Sequence, residues 1–436
     1  MGKAGSDTVA AQIGEILNST ADFKSTIQSR GETIVDQGAM VTLALSALTL
    51  PLLGPVSAMA ALNAAFGCHM RIAAPISVLT FLRMASENGV LIKDGRSLEL
   101  LSDVDTFVFD KTGTLTEEVP TVGRILISHG DVDLGGSYYN EEQLLVYAAA
   151  AEYKQTHPIA KAILREVRSR KLTIPPTKNV KIEMGYGLVV DVEEKSIRVG
   201  SRRFMEMSGI AIPADIDEDH YHALGHSLVY LAIDNQLAGA IELKPTIRPE
   251  AKRIVSALKQ RNMSIVIISG DHEQPTKKLA ADLGIDHYFA QTLPENKADL
   301  IEQLQKAPKG HDKGQVVCFV GDGINDSIAL KKANVSISLR GASSAATDSA
   351  SMILMDGTLN QLICLLDLAQ TLERNLSTSV IMTIIPGVLC IGGVFFFHVG
   401  ILSSIMLFNL GLAASVSNAL LPLIKHQREK SSQSNQ

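Results

Sequence analysis

The segment Asp110-Lys111-Thr112-Gly113-Thr114-Leu115-Thr116 follows directly on the apolar run Phe107-Val108-Phe109. A carboxylate at a strand end can attack a phosphoryl group and form an acyl phosphate, which splits one hard transfer into two easier steps. Amides of the glycine-containing turn can then hold the phosphoryl oxygens. A second acidic run, Gly321-Asp322-Gly323-Ile324-Asn325-Asp326, offers the hard oxygen ligands that Mg2+ prefers. Asp110 and Asp322 are expected to hold that ion, with Asp326 in the same cluster and help from the carbonyl of Thr112. Such an ion screens carboxylates from an incoming phosphate and stabilises the charge that develops. Lys297, in Leu293-Pro294-Glu295-Asn296-Lys297, is the natural cation for the phosphoryl oxygens, and the turn Ser269-Gly270-Asp271 adds a hydroxyl and backbone donors. The catalytic candidates are therefore Asp110, Lys111, Thr112, Lys297, Ser269, Gly270 and Asp271.

Short β-branched runs alternate with helical patterns around these residues, which argues for an α/β sheet. Strands are expected over 106–110, 264–269, 316–321 and 335–339. Ligand sites of open parallel sheets lie beyond the carboxyl ends of the strands, so the acidic turns would converge although far apart in sequence. The interval between the first turn and the next strand is too long for a loop. It has its own strand-like runs, 179–182, 188–192 and 227–233, and reads as an inserted domain over 119–243.

Composition sets the wider frame. The chain has 436 residues, with 40 Lys+Arg against 46 Asp+Glu and a net charge of −6, which gives no electrostatic reason to bind nucleic acid. It is 46% hydrophobic and only 20% charged, unlike a disordered chain. The four cysteines, Cys68, Cys318, Cys364 and Cys390, form no paired motif, which excludes a disulfide framework and zinc-finger spacing. A mean hydropathy of +0.16 points to membrane segments. Two stretches, Gln37 to Met70 and Asn375 to Leu423, lack Asp, Glu, Lys and Arg altogether. Each is long enough for two spans of about 20 residues. Reversals are expected at 51–55 and 398–400, giving transmembrane hairpins over 37–84 and 361–424. Basic residues flank the hairpins but are absent from the reversals, so both ends of each hairpin should face the cytoplasm.

The complete Asp110–Thr116 motif and the Gly321–Asp326 run resemble those of the P-type ATPases, which share the haloacid-dehalogenase-like fold. Glu152, His157-Pro158 and Gly185-Tyr186-Gly187 resemble the nucleotide-binding residues of heavy-metal-transporting members. The resemblance implies an α/β, Rossmann-like phosphorylation domain over 85–118 and 244–360, with an inserted α+β nucleotide-binding domain and the two hairpins. It implies ATP and Mg2+ as cofactors, with Glu152 and His157 at the adenine end, Gly185 and Gly187 admitting the nucleotide to the backbone, and Pro158 opening a helix over 159–168. Residues 1–36 would be a linker helix and 425–436 a cytoplasmic tail, frayed after Lys430. Cys68, seven residues before Pro75, aligns with the second cysteine of the family's intramembrane Cys-Pro-Cys and so implies a ligand for the transported metal, beside His69 and Met70. Phe66 and Gly67 replace the first two members of that motif.

The residue two after Asp110 decides between reaction types. Phosphatases of this superfamily carry there an Asp that acts as general acid and base, and here it is Thr112. Without that base an aspartyl phosphate should hydrolyse slowly, which favours a transport cycle. Other positions depart from the family: Met382-Thr383 stand in place of Tyr-Asn, no carboxylate accompanies Phe408-Asn409, Pro245 replaces an Asp, and Arg340 interrupts a Gly-rich turn. Asn409 and Asn418 are expected to bridge helices.

Residues 7–13 resemble the segment after the family's actuator domain, whose Thr-Gly-Glu loop this sequence lacks. The expectation is the C-terminal portion of a pump in the plasma (inner) membrane, with its catalytic domains in the cytoplasm and ATP, a heavy-metal cation and the lipid bilayer as partners. Either the sequence is a fragment, or a second polypeptide would supply the actuator. The alternatives are a membrane-anchored phosphatase and a non-catalytic ATP-binding regulatory subunit.

Overall fold

The computed structural model describes residues 26–64, 69–128, 139–183, 187–213, 216–309, 313–322, 326–339 and 348–434. The chain opens with helices α1 (Thr26–Leu53), α2 (Pro55–Leu62) and α3 (Met70–Glu87), then β1 (Val90–Ile92), α4 (Gly95–Ser102) and β2 (Thr106–Asp110). Next come β3 (Thr121–Ile127), α5 (Glu141–Glu152), α6 (Pro158–Ser169), β4 (Thr177–Glu183), β5 (Gly187–Val192) and β6 (Lys195–Gly200). They are followed by α7 (Arg202–Met207), α8 (Glu218–Ala223), β7 (Ser227–Ile233), β8 (Gln236–Lys244), α9 (Ala251–Gln260), β9 (Ser264–Ile268), α10 (Glu273–Leu283) and β10 (His287–Phe289). The last part holds α11 (Pro294–Lys306), the short strands β11 (Pro308–Lys309) and β12 (Lys313–Gly314), β13 (Val317–Gly321), α12 (Ser327–Lys332), β14 (Val335–Leu339) and β15 (Met352–Leu354). Two long helices, α13 (Gln361–Phe397) and α14 (Ile401–Ser434), close it. These elements fall into two compact units, one of residues 1–107, 261–263 and 298–436, the other of 108–260 and 264–297.

In the first unit β14 pairs parallel with both β13 and β15, while β1 runs antiparallel along β15. Every residue of β13 and β14 is buried, as in strands covered on both faces, including the polar Ser336 and Ser338 of β14. The membrane-type helices obey a different rule. Phe396, Phe397 and Leu402 are 82%, 81% and 76% exposed on α13 and α14, the two described helices long and apolar enough to cross a bilayer. Polar atoms turn inward instead. Asn375 donates to the Asn418 carbonyl at 2.7 Å, Asn418 donates back to the Asn375 carbonyl and to Ser379 Oγ, and Ser77 donates to Asn375 Oδ1. This network ties α3, α13 and α14 together through their side-chain amides.

The first hairpin differs from its expectation. Its reversal does fall at Gly54, whose φ of 85° suits glycine, and Ser46 Oγ reaches the Ala58 carbonyl as α2 runs back along α1. The returning leg, however, is not one helix: α2 ends at a cap on Asn63, and α3 starts afresh at Met70. The tail differs too. Residues 425–434 continue α14, because Lys, Gln, Arg and Glu favour helix and Lys430 is anchored on the Glu87 carbonyl at 3.1 Å.

In the second unit a six-stranded antiparallel sheet runs β3-β8-β7-β6-β5-β4. Strand β7 shows why it holds two cores. Val229, Leu231 and Ile233 join Leu145 and Ile163 of α5 and α6 on one face, while Leu228, Tyr230 and Ala232 join Phe204 and Met205 of α7 on the other. Helix α5 starts at a capping box formed by Asn140 and Gln143. The same unit contains the carboxyl end of β2, the helix α9, and β9 paired parallel with β10.

Candidate functional site

Strand β2 is buried along its length and delivers Asp110 to the loop 111–115 with 7% of its surface exposed. The loop has its own internal lock, since Thr116 donates through both N–H and Oγ1 to the Lys111 carbonyl. Gly113 sits at φ 78°, which any side chain would strain. Outside contacts set the rest. Arg248 donates from Nη2 to the Gly113 carbonyl at 2.7 Å and from its N–H to the Leu115 carbonyl at 3.0 Å. The sequence did not single out Arg248, because its partner lies 135 residues away and nothing local marks the contact.

Lys297 reaches the nucleophile candidate directly, with Nζ 2.5 Å from Asp110 Oδ1, both side chains buried. Lys111 instead pairs with the half-exposed Asp271, and burial pulls its ammonium below the usual lysine range despite the charge of Asp110. Ser269 Oγ accepts the Asp271 N–H at 3.1 Å, and the Ser269 carbonyl accepts the Thr292 N–H, so the Ser269–Asp271 turn is rigid. A Cβ on Gly270 would meet nothing closer than the Thr292 carbonyl at 3.6 Å, which leaves an open face above the turn. Thr112 is exposed, whereas Thr114 Oγ1 is buried without a hydrogen-bond partner. The structure thus brings Asp110, Lys111, Lys297 and Asp271 into two adjoining ion pairs within one unit.

In the other unit, Asp322 is half-buried just after β13 and Asp326 is 1% exposed at the start of α12. A Cβ on Gly321 would lie 2.8 Å from Asp326 Oδ2, so glycine is what lets that carboxylate fold against the strand end. Gly323, Ile324 and Asn325 lie outside the described residues. Asp322 and Asp326 offer hard oxygens of the kind that suit Mg2+.

The adenine-end candidates sit together at the junction of α5 and α6. His157 caps α6, its Nδ1 accepting the Ala160 N–H at 3.3 Å, with Pro158 as the first helical residue. An acceptor Nδ1 puts the proton of the neutral ring on Nε2, and burial lowers the imidazole's basicity, which favours that neutral form. Nε2 stands 3.1 Å from Glu152 Oε2 but off the line of a hydrogen bond, so this buried oxygen has no partner among the described residues. Glu152 is 4% exposed, and desolvation pushes its carboxyl up to about 7. Gly185 lies outside the described residues. Gly187 has a packing reason to be glycine: a Cβ there would come within 2.5 Å of Phe204 Cδ1 and of the Val199 carbonyl.

Cys68 also lies outside the described residues, while His69 and Met70 are buried at the start of α3. Of the two asparagines expected to bridge helices, Asn418 does so, whereas Asn409 donates back to Ile405 of its own helix. Thr383 Oγ1 likewise donates to the Val380 carbonyl within α13.

Residues 104–334 match the family profile described as haloacid dehalogenase-like hydrolase. The chain is 31% identical over 369 residues to a zinc-exporting P-type ATPase of Mycobacterium marinum, covering 84% of this chain and 49% of that protein. It is 30% identical over 372 residues to a copper-exporting P-type ATPase of Staphylococcus epidermidis, covering 82% of this chain and 44% of that protein. The chain therefore spans about half the length of these curated relatives. Among solved structures, a zinc-transporting PIB-type ATPase in the E2.Pi state superposes with a TM-score of 0.74 at 25% identity, over 97% of this chain and 68% of that one.

Proposed function

From the premise that the chain belongs to the haloacid dehalogenase-like hydrolases, we propose that it is the catalytic and membrane part of a heavy-metal P-type ATPase, which takes the γ-phosphoryl of ATP onto Asp110. The observation that carries this reading is the Asp110–Lys297 pair at the end of a buried strand, 2.5 Å apart, inside a loop locked by Gly113, Thr116 and Arg248. A carboxylate oxygen of Asp110 attacks the γ-phosphorus, the bond to the β,γ-bridging oxygen breaks, and ADP leaves with that oxygen. Lys297, already beside the nucleophile, is placed to follow the charge onto the phosphoryl oxygens as they arrive. Asp110, the Thr112 carbonyl, Asp322 and Asp326 would hold Mg2+, which supplies charge stabilisation to the transferring group when bound.

The buried, unpartnered Oε2 of Glu152 supports the adenine end of the reading, since it offers an acceptor to the exocyclic amine of a purine. His157 presents an uncharged ring face beside it. Thr112 supports transport over ester hydrolysis, because no carboxylate stands two residues after the nucleophile to activate water. The relatives named above export zinc and copper, which supports a heavy-metal cation as cargo, and the basic residues flanking both hairpins support catalytic units on the cytoplasmic side of the plasma membrane.

Labelled [γ-32P]ATP with Mg2+ tests the assignment. An acid-stable, hydroxylamine-labile phosphoprotein should form on the wild-type chain and be absent from Asp110→Asn. Labelling of Asp110→Asn at the wild-type level would sink it.

A further inference from the structure

Where the insert departs from the phosphorylation loop, its two connecting segments stop pairing. Thr116 bridges Ile247 and Thr121 pairs with Lys244, so 117–120 on one segment oppose just 245 and 246 on the other. Each segment carries a proline in this gap, Pro120 and Pro245, and neither can donate to a ladder. The surplus residues bulge, as extra residues in a paired strand do. The Glu117 N–H still donates to the Thr246 carbonyl at 2.8 Å, while the side chains of Glu117 and Glu118 turn to helix α6. Glu117 Oε2 lies 3.7 Å from Arg165 Nη1, and Glu118 Oε1 lies 3.9 Å from Lys161 Nζ. Lys161 and Arg165 stand four residues apart on one face of α6, the helix that His157 caps and that buries Ala160, Ile163 and Val167 in the insert. Elsewhere in the same unit, Gly225 at φ 77° passes so close to Pro275 of α10 that no Cβ would fit between them. The insert thus rests against α10, and the joint it turns on is a proline-broken ladder crossed by two ion pairs.

We infer that Glu117 and Glu118, with Arg165 and Lys161, form an electrostatic latch that holds the insert closed on the Asp110 loop, which makes them positioning residues for phosphoryl transfer. Backbone alone leaves such a joint soft, because a broken ladder has few hydrogen bonds to lose when it bends. The pairs tie α6, and with it the adenine end of the site, to the linker that starts directly after Thr116. Each of the four side chains is at least a third exposed, and exposed pairs are individually weak and screened by salt. That weakness suits a joint that must open to exchange ADP for ATP, and it makes the latch sensitive to ionic strength. This inference rests on the phosphoryl-transfer reading above and adds to it the residues that set the insert's position.

The test uses the full chain in lipid nanodiscs and quenched-flow phosphorylation by [γ-32P]ATP with Mg2+. At about 0.01 M salt the Debye length is about 30 Å. There the double variant Glu117→Gln/Glu118→Gln should form phosphoenzyme about fivefold more slowly at saturating ATP, as loss of two exposed pairs predicts. The nucleotide concentration for half-maximal rate should not move, since the adenine contacts are intact. At about 1 M salt the wild type should fall to the variant's rate. Reversing one pair, Glu117→Arg with Arg165→Glu, should recover most of the rate that either single reversal loses. Arg168→Gln, which removes a charge of α6 outside these pairs, should match wild type. A deficit that persists at high salt, a double reversal no better than the singles, or equal rates at low salt would overturn the latch. Hydrogen exchange of the peptide covering 115–120 needs no ATP and reads the same joint. It should quicken about fivefold in the double variant at low salt, and the difference should vanish at high salt. If exchange responds but no phosphoprotein forms, the latch remains as a joint and the phosphoryl-transfer reading falls with its positioning role. If phosphoprotein forms while exchange is unchanged, the latch falls alone.

Discussion

The end of β2 and the end of α5 each bury a carboxyl group, and they treat it in opposite ways. Asp110 is 7% exposed and has an ammonium 2.5 Å away, with a second ion pair, Lys111–Asp271, adjoining it. Glu152 is 4% exposed and has only a neutral imidazole beside it, so burial lifts its carboxyl to about 7. Desolvation opposes charge at both places, and only the first supplies a cation to offset it. In the proposed function Asp110 must be an anion to attack phosphorus, whereas Glu152, proposed to meet a neutral purine ring, gains nothing from a full charge. The cation is present where chemistry demands the anion.

Removing the cation at the first place should have the largest effect. Lys297→Ala leaves Asp110 buried without its ammonium and takes away a donor from the phosphoryl oxygens. Loss of one such donor typically costs about 100- to 1000-fold in rate. Quenched-flow formation of the phosphoenzyme should slow by that order, and Lys297→Arg should recover part of it. A rate within threefold of wild type for Lys297→Ala would erase the distinction drawn between the two carboxyls.

At the second place the effect should be on stability, and pH decides when it is seen. The folded carboxyl of Glu152 is raised above its usual value, so the neutral form is favoured by the fold. Its contribution is fully present below the unfolded value, near pH 4.5, and is lost as pH rises through about 7. Glu152→Gln keeps the shape and never ionises. It should stabilise the protein by on the order of 2 kcal/mol at pH 8 and by little at pH 4.5, read from thermal unfolding at the two pH values. Equal shifts in melting temperature at both would show that the carboxyl is not neutralised by burial.

Legibility in the sequence follows the same physical line. The Asp110–Thr116 loop was readable because local backbone geometry dictates residue types: glycine at φ 78°, and a threonine that returns to the Lys111 carbonyl. A short apolar run likewise revealed β7 over 227–233, and apolar length revealed α13 and α14. Contacts spanning hundreds of residues were not readable. Nothing near Asn418 announces that its amide meets Asn375, and nothing near Gly411 announces that it makes room for His69. The break between α2 and α3 was missed for a related reason, since a charge-free run shows that a segment is apolar without showing where its helix stops. Gly187 carries a further lesson: a glycine read as room for a ligand has a sufficient reason in Phe204 and the Val199 carbonyl.

Arg248 allows a finer test of how the first carboxyl is served. Its guanidinium touches the loop at the Gly113 carbonyl and its backbone at the Leu115 carbonyl, so it fixes the loop that carries on from Asp110. Arg248→Lys keeps the charge and the backbone bond but loses the planar fork that aims Nη2 at Gly113. A misplaced loop costs less than a missing donor, so phosphoenzyme formation should slow by about tenfold, equivalent to about 1.4 kcal/mol. Since the lost contact positions rather than reacts, the deficit should appear in the rate constant at saturating ATP and leave the nucleotide concentration for half-maximal rate unchanged. Glu152→Gln should move that concentration and spare the rate constant. If Arg248→Lys shifted the nucleotide dependence instead, the loop and the insert would be coupled, and the separate treatment of the two carboxyls would have to be abandoned.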